Sequence, residues 1–141
     1  MRTRRDHDAM NPIARAVLNR LLGDRGERLA ARHLRRQGLR IILRGYRTPQ
    51  GEVDLIARDG PTLVFVEVKA RRTGVPAEAV TPEKQRRLTL AALAFLKQNK
   101  LLEHPCRFDV VAIVWPDDRQ PPAIEHFRNA FKASGRGQMF R

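Results

Sequence analysis

Carboxylates are scarce in this chain, and cysteine is nearly absent. Its 15 acidic residues face 28 lysines and arginines, leaving a net charge of +13. The lone cysteine, Cys106, excludes an internal disulfide framework and fits a reducing compartment. Long apolar runs are missing too. The longest near the start, IARAVLNRLL at residues 13–22, carries Arg15 and Arg20 and is too short to span a bilayer. No basic start, apolar run and small-residue cleavage site follow one another as in a signal peptide. The expectation is a soluble, cytoplasmic protein with no membrane partner. His7, His33, His104 and His126 are scattered, which excludes the ligand spacing of a zinc site. No internal repeat divides the 141 residues. One domain of that length buries roughly two-thirds of its unfolded surface.

The positive charge is mostly arginine. Such an excess on a small domain points to a polyanion, most often nucleic acid. Binding should then weaken with salt through counterion release. A solubility surface, contact with anionic lipid, or the arginine bias of a GC-rich genome would produce the same composition.

Along the chain, residues 1–23 read as a basic N-terminal arm with a short helix from Pro12 that ends at Gly23. Asp24 resembles an N-cap, with Glu27 three residues on as in a capping box. The helix it starts runs to Gly38 and turns Ala30, Ala31, Leu34 and Glu27 to one face. LRIILRGYR is a first strand, and Thr48-Pro49-Gln50-Gly51 a turn. GEVDLIA and LVFVEVK are two further strands around Asp59-Gly60-Pro61. Thr81-Pro82 opens a second helix to about residue 99, by the preference for an N-cap hydroxyl and proline at the first helical position. RFDVVAIVW is a strong strand, AIEHFRN an edge strand, and 132–141 a disordered tail by composition. The order α-β-β-β-α-β(-β) over residues 24–131 predicts one α/β domain with helices packed over a central mixed sheet.

The two strands around Gly60 hold a puzzle. They are apolar almost throughout, as in strands covered on both faces, yet Glu52, Asp54, Glu67 and Lys69 lie inside them. Carboxylates there are costly unless paired, and several together repel. Counted outward from the turn, Asp54 and Glu67 lie at similar distances from it, so they can be cross-strand or diagonal neighbours, close enough to hold one ion together. A divalent cation resolves the conflict. Mg2+ takes oxygen ligands and commonly uses one or two carboxylates with substrate phosphates.

An acid, a gap of about a dozen residues and then Glu-x-Lys, on adjacent strands after a helix bearing Glu, resembles the PD-(D/E)xK nuclease superfamily. Here these are Asp54, Glu67-Val68-Lys69 and Glu27. More closely, GERLAARHL, GYRTPQGEVDLIA, LVFVEVKAR, EKQRRL and RFDVVAI resemble the YraN family of bacterial proteins, over roughly residues 24–131. That family is similar in fold to archaeal Holliday-junction resolvases. The resemblance implies a restriction-endonuclease-like core and a Mg2+- or Mn2+-dependent hydrolytic site. Asp54, Glu67 and the Val68 carbonyl would ligate metal, with Glu27 completing the shell. Lys69 would act on the attacking water and the phosphate charge. From the second helix, Gln85 or Lys84 would enter the site. Arg71, Arg72, Lys84, Arg86 and Arg87 would meet nucleic acid, DNA ahead of RNA. By analogy with resolvases, a homodimer is expected.

Each residue also has a plainer reading. Glu27 caps its helix, and Glu52 is a solvated strand-edge charge. Glu67 and Lys69 form an ion pair, and Lys84 and Gln85 are surface residues. Asp109 is satisfied by backbone donors or an arginine. Tyr46 and Trp115 pack in the core or at an edge rather than stacking on bases. On these alternatives the chain is a non-catalytic nucleic-acid-binding module that keeps a nuclease fold.

Overall fold

A computed structural model describes residues 11–72, 80–115 and 119–133. Seven elements follow one another: α1 (Pro12–Arg36), β1 (Arg40–Thr48), β2 (Gly51–Asp59), β3 (Thr62–Arg71), α2 (Pro82–Gln98), β4 (Cys106–Val114) and β5 (Ala123–Phe131). The strands form one sheet in the order β1-β2-β3-β4-β5. Only β3 and β4 are parallel, because α2 carries the chain back across the sheet between them. The other neighbours are antiparallel. This is a mixed α/β protein with a helix on each face. Residues 1–10 of the predicted N-terminal arm, residues 73–79 and 116–118, and residues 134–141 of the predicted tail lie outside the described residues.

The central strands are buried on both sides, which explains the continuous apolar runs of β2, β3 and β4. Val53, Ile56, Phe65, Phe108 and Val110 pack with Leu88, Ala91, Ala92, Phe95 and Leu96 of α2. Leu55, Ala57, Val64, Val66, Val111 and Ile113 pack with Ala30, Ala31 and Leu34 of α1. Tyr46 and Trp115 belong to this packing. The Tyr46 ring meets Phe95 edge-on, and Trp115 is 1% exposed beneath the Arg25 guanidinium.

One expectation is corrected. No helix ends at Gly23, and Asp24 is not an N-cap. Asn11 caps a single helix that continues through Gly23, its side chain accepting from the Ala14 N–H at 2.7 Å. A glycine inside a helix costs only about 1 kcal/mol, too little to divide it. Gly38, by contrast, does end α1. It adopts φ +93°, and the Leu39 N–H donates to Leu34 O while the Gly38 N–H donates to Arg35 O, both at 3.0 Å. These are the two bonds of a Schellman cap. Thr81 caps α2 as the sequence predicts, accepting from Lys84 N.

Two glycines matter through close approach. A Cβ on Gly26 would lie 2.8 Å from Ala70 Cβ, and one on Gly51 would lie 2.5 Å from the Arg87 carbonyl oxygen. Gly26 thus lets α1 settle on β3, and Gly51 lets the β1–β2 turn touch the backbone of α2. Each is followed directly by a glutamate, Glu27 or Glu52.

Candidate metal centre

The site forms where β2 and β3 part. Their register is Asp59↔Thr62 through Leu55↔Val66, and there the ladder stops. The next opposed positions are Asp54 and Glu67. Side-chain alternation also breaks here. Val53 packs toward α2, whereas Leu55, two residues on, packs toward α1. Asp54 sits at the break. Its Oδ2 accepts from the Val68 N–H at 2.8 Å, replacing the ladder bond that β2 no longer offers.

On β3, Val64 and Val66 face α1 and Phe65 faces α2. Strand alternation therefore turns Glu67 and Lys69 to the α2 side. Glu67 is 3% exposed. Its Oε1 lies 2.6 Å from Lys84 Nζ, which reaches in from the first turn of α2. Burial, and then the Glu67 carboxylate, push the Asp54 carboxyl up to about 8, against the pull of the Val68 N–H. Burial, and then the Lys84 and Arg71 charges, lower the Lys69 ammonium, which Glu67 and Asp54 partly restore.

Glu27 arrives from α1. Carboxylate oxygens of Glu27, Glu52 and Asp54 lie within 4.8 Å of one another. Burial, and next the Glu52 charge, raise Glu27 above the usual carboxylate range. Glu52, a solvated edge charge in the sequence reading, thus joins the cluster while keeping Arg47 at 3.4 Å. Its place on β2 beside Asp54 was the available signal. The turn before it is tied by Thr48, whose Oγ1 accepts from the Gln50 and Gly51 N–H groups and donates to Gly51 O.

The acidic groups open onto a cleft of about 1020 Å3 between the β1–β2 turn and the start of α2. Asp54, Glu67, Val68, Glu52, Lys84, Arg86 and Arg87 line it; Glu27 and Lys69 do not. Gln85 is not brought to the carboxylates. Its amide donates to Val80 O at 3.0 Å, since one step along a helix turns a side chain by about a quarter turn. Lys84 takes the place expected of either residue. Arg86 and Arg87 both pair with Glu83 at the cleft rim. Arg71 and Arg72 are exposed at and beyond the end of β3. Asp109 has the plain role anticipated for it, bonding Arg107, His126 and the Asn129 N–H on the α1 side of β4.

The donor set is all oxygen and acidic, which suits a hard divalent cation. Fold and site thus define a mixed α/β protein with a carboxylate cluster at the open end of a central hairpin. Residues 26–113 match the profile of the Uncharacterised protein family UPF0102, and the chain belongs to that family. The match starts at the first residue of GERLAARHL and ends at the last of RFDVVAI. A UPF0102 protein of Geobacter sulfurreducens is 56% identical over 119 residues, covering 81% of this chain and 91% of its own. One from Rhodococcus opacus is 53% identical over 116 residues, covering 80% and 98%. One from Rhodopirellula baltica is 51% identical over 123 residues, covering 83% and 74%. Among the described residues, no helix is long and apolar enough to cross a membrane.

Proposed function

We propose that this protein is a metal-dependent nuclease built on a PD-(D/E)xK core, hydrolysing phosphodiester bonds in DNA, with branched or otherwise structured DNA among the substrates to be tested. The observation that carries the reading is the meeting of Asp54 and Glu67 where β2 and β3 part, with Glu27 close to Asp54. A carboxyl group held up at about 8 is expensive to keep charged. In a protein of +13 such a cluster is hard to account for as surface chemistry. As a metal site opening on an arginine-rimmed cleft it has a purpose.

Asp54 and Glu67 would hold Mg2+ or Mn2+, with Glu27 and Glu52 on the α1 side and the Val68 carbonyl as a further oxygen. When bound, the ion lowers the pKa of its water and offsets charge on the phosphate. Lys69, lowered from the ordinary lysine value by burial and then by the Lys84 charge, would orient the attacking water or help to deprotonate it. It also adds positive charge beside the transition state. Arg47, Arg86 and Arg87 on the cleft rim would draw in the phosphate backbone without reading sequence. The test is cleavage of labelled linear, flapped and four-way DNA with Mg2+ or Mn2+, beside binding measured at several salt concentrations. Metal-dependent cutting that Asp54→Asn abolishes supports the reading. Salt-sensitive binding with no cutting of any substrate overturns it.

That second outcome would favour a non-catalytic nucleic-acid-binding module. The observation on its side is that Glu67 is already paired, with Lys84.

A further inference from the structure

The cation beside Glu67 belongs to the protein itself. Lys84 Nζ lies 2.6 Å from Glu67 Oε1, the carboxylate being 4% exposed and the lysine side chain 46%. A contact so short is a charge-assisted hydrogen bond on a desolvated acceptor. Its two ends are held very differently. Glu67 is fixed in the middle strand of the sheet. Lys84 hangs from the first turn of α2 on a flexible stem with half its surface in the cleft.

Two further observations converge on Lys84. Its neighbours Arg86 and Arg87 are turned to Glu83, so Lys84 is the cation of that turn seen on the buried acid. It also lines the cleft, whereas Lys69 does not, so it can leave Glu67 and stay in reach of a ligand there.

We propose that Lys84 is a resident counter-cation of the acidic site: it neutralises Glu67 in the metal-free protein, yields that carboxylate to an arriving divalent ion, and swings into the cleft to bind a phosphate oxygen of the substrate. This rests on the metal reading of the site. Two positive charges cannot share Glu67 at contact distance without strong repulsion, and the divalent ion compensates Asp54 as well, which a single ammonium does not. The lysine loses a strong bond by leaving, but its side chain is already half exposed, so it needs no escape from the protein interior. Metal binding would thereby release a phosphate-binding cation where substrate arrives, coupling the two events.

The test pairs a variant with a measurement on the unaltered protein. Calorimetric Mn2+ titrations compare wild type with Lys84→Met, which keeps the stem and removes the charge. Acylation of Lys84 by an N-hydroxysuccinimide ester is quantified by mass spectrometry with and without Mn2+, normalised to the exposed Lys97 and Lys100. The expected results are Mn2+ affinity tightened about tenfold in the variant, at the low end for one like charge at contact distance, and Lys84 acylation that rises when Mn2+ is added to wild type. Mn2+ binding by the variant alone would also support the proposal. If wild type binds Mn2+, the variant binds it no tighter and acylation does not move, the lysine's role is overturned while the metal site stands. If neither protein binds Mn2+, the metal reading and this inference fall together.

Discussion

Replacing Asp54 by asparagine isolates the cost of the acidic cluster. Asparagine keeps an oxygen to accept the Val68 N–H and loses the charge. Burial first, and Glu67 next, raise the Asp54 carboxyl from an ordinary 3.8 to about 8. The folded protein therefore holds a proton that the unfolded chain releases near pH 4. Protons bound in the folded state exceed those in the unfolded state throughout that interval, so stability must fall as pH rises from about 4 to about 8. The slope is about 1.4 kcal/mol per pH unit, and the full cost above pH 8 approaches about 6 kcal/mol. Sharing of the proton with Glu67 and the partial opening to the cleft reduce this, so a gain of about 2–5 kcal/mol is expected for Asp54→Asn at alkaline pH. Urea unfolding in EDTA at pH values of about 5, 7 and 9 measures it. The variant's advantage over wild type should be small in acid and grow with pH, and saturating Mn2+ should restore much of the wild-type deficit. A stability difference that stays constant from acid to alkali would refute the reasoning, because it would mean Asp54 is not held protonated by the fold.

Within the same site, Glu67→Ala should abolish Mn2+ binding by calorimetry, whereas Lys69→Ala should bind Mn2+ nearly as well as wild type and lose turnover in the cleavage assay. On the far side of the sheet, Asp109→Asn removes the charge beside Arg107 and His126; Arg107 keeps Asp59 at 2.8 Å, and chemical denaturation should show a loss of about 1–3 kcal/mol. Burial alone would raise Asp109, but hydrogen bonds from His126 and Arg107 outweigh it and leave the group below its usual range. The stability it confers is thus present above about pH 4 and lost in stronger acid, an acid limb that the variant should lack. Gly51→Ala forces a methyl group onto the Arg87 backbone; a cost of about 1–3 kcal/mol is expected, visible as a lower Tm, together with weaker Mn2+ binding as Glu52 is carried away from Asp54.

The amino-acid pattern by itself determined the central strands, the second helix, the end of the first and the nearness of Asp54 to Glu67 across a hairpin. Continuous apolar runs require cover on both faces, and Gly60, at φ +56°, makes a two-residue turn that fixes register. Residue positions at similar distances from such a turn lie near each other across it, so counting brought Asp54 and Glu67 together as candidates. Thr81 and Gly38 likewise marked helix ends by local chemistry. Gly23 misled for the same local reason: a glycine and an aspartate look like a stop and a start, yet the helical backbone bonds across them outweigh the small cost of one glycine. Tertiary structure alone decided the rest. The break in alternation at Asp54, which sets its carboxylate near both Glu67 and Glu27, depends on how β2 leaves β3. That Lys84 rather than Gln85 reaches Glu67 depends on the rotation of α2, set by its packing through Leu88, Ala92 and Phe95. Glu52 enters the cluster because Gly51 allows its turn to touch α2 and Gly26 allows α1 to touch β3. These are contacts between segments distant in sequence, determined by packed volume, and no local pattern of residues encodes them.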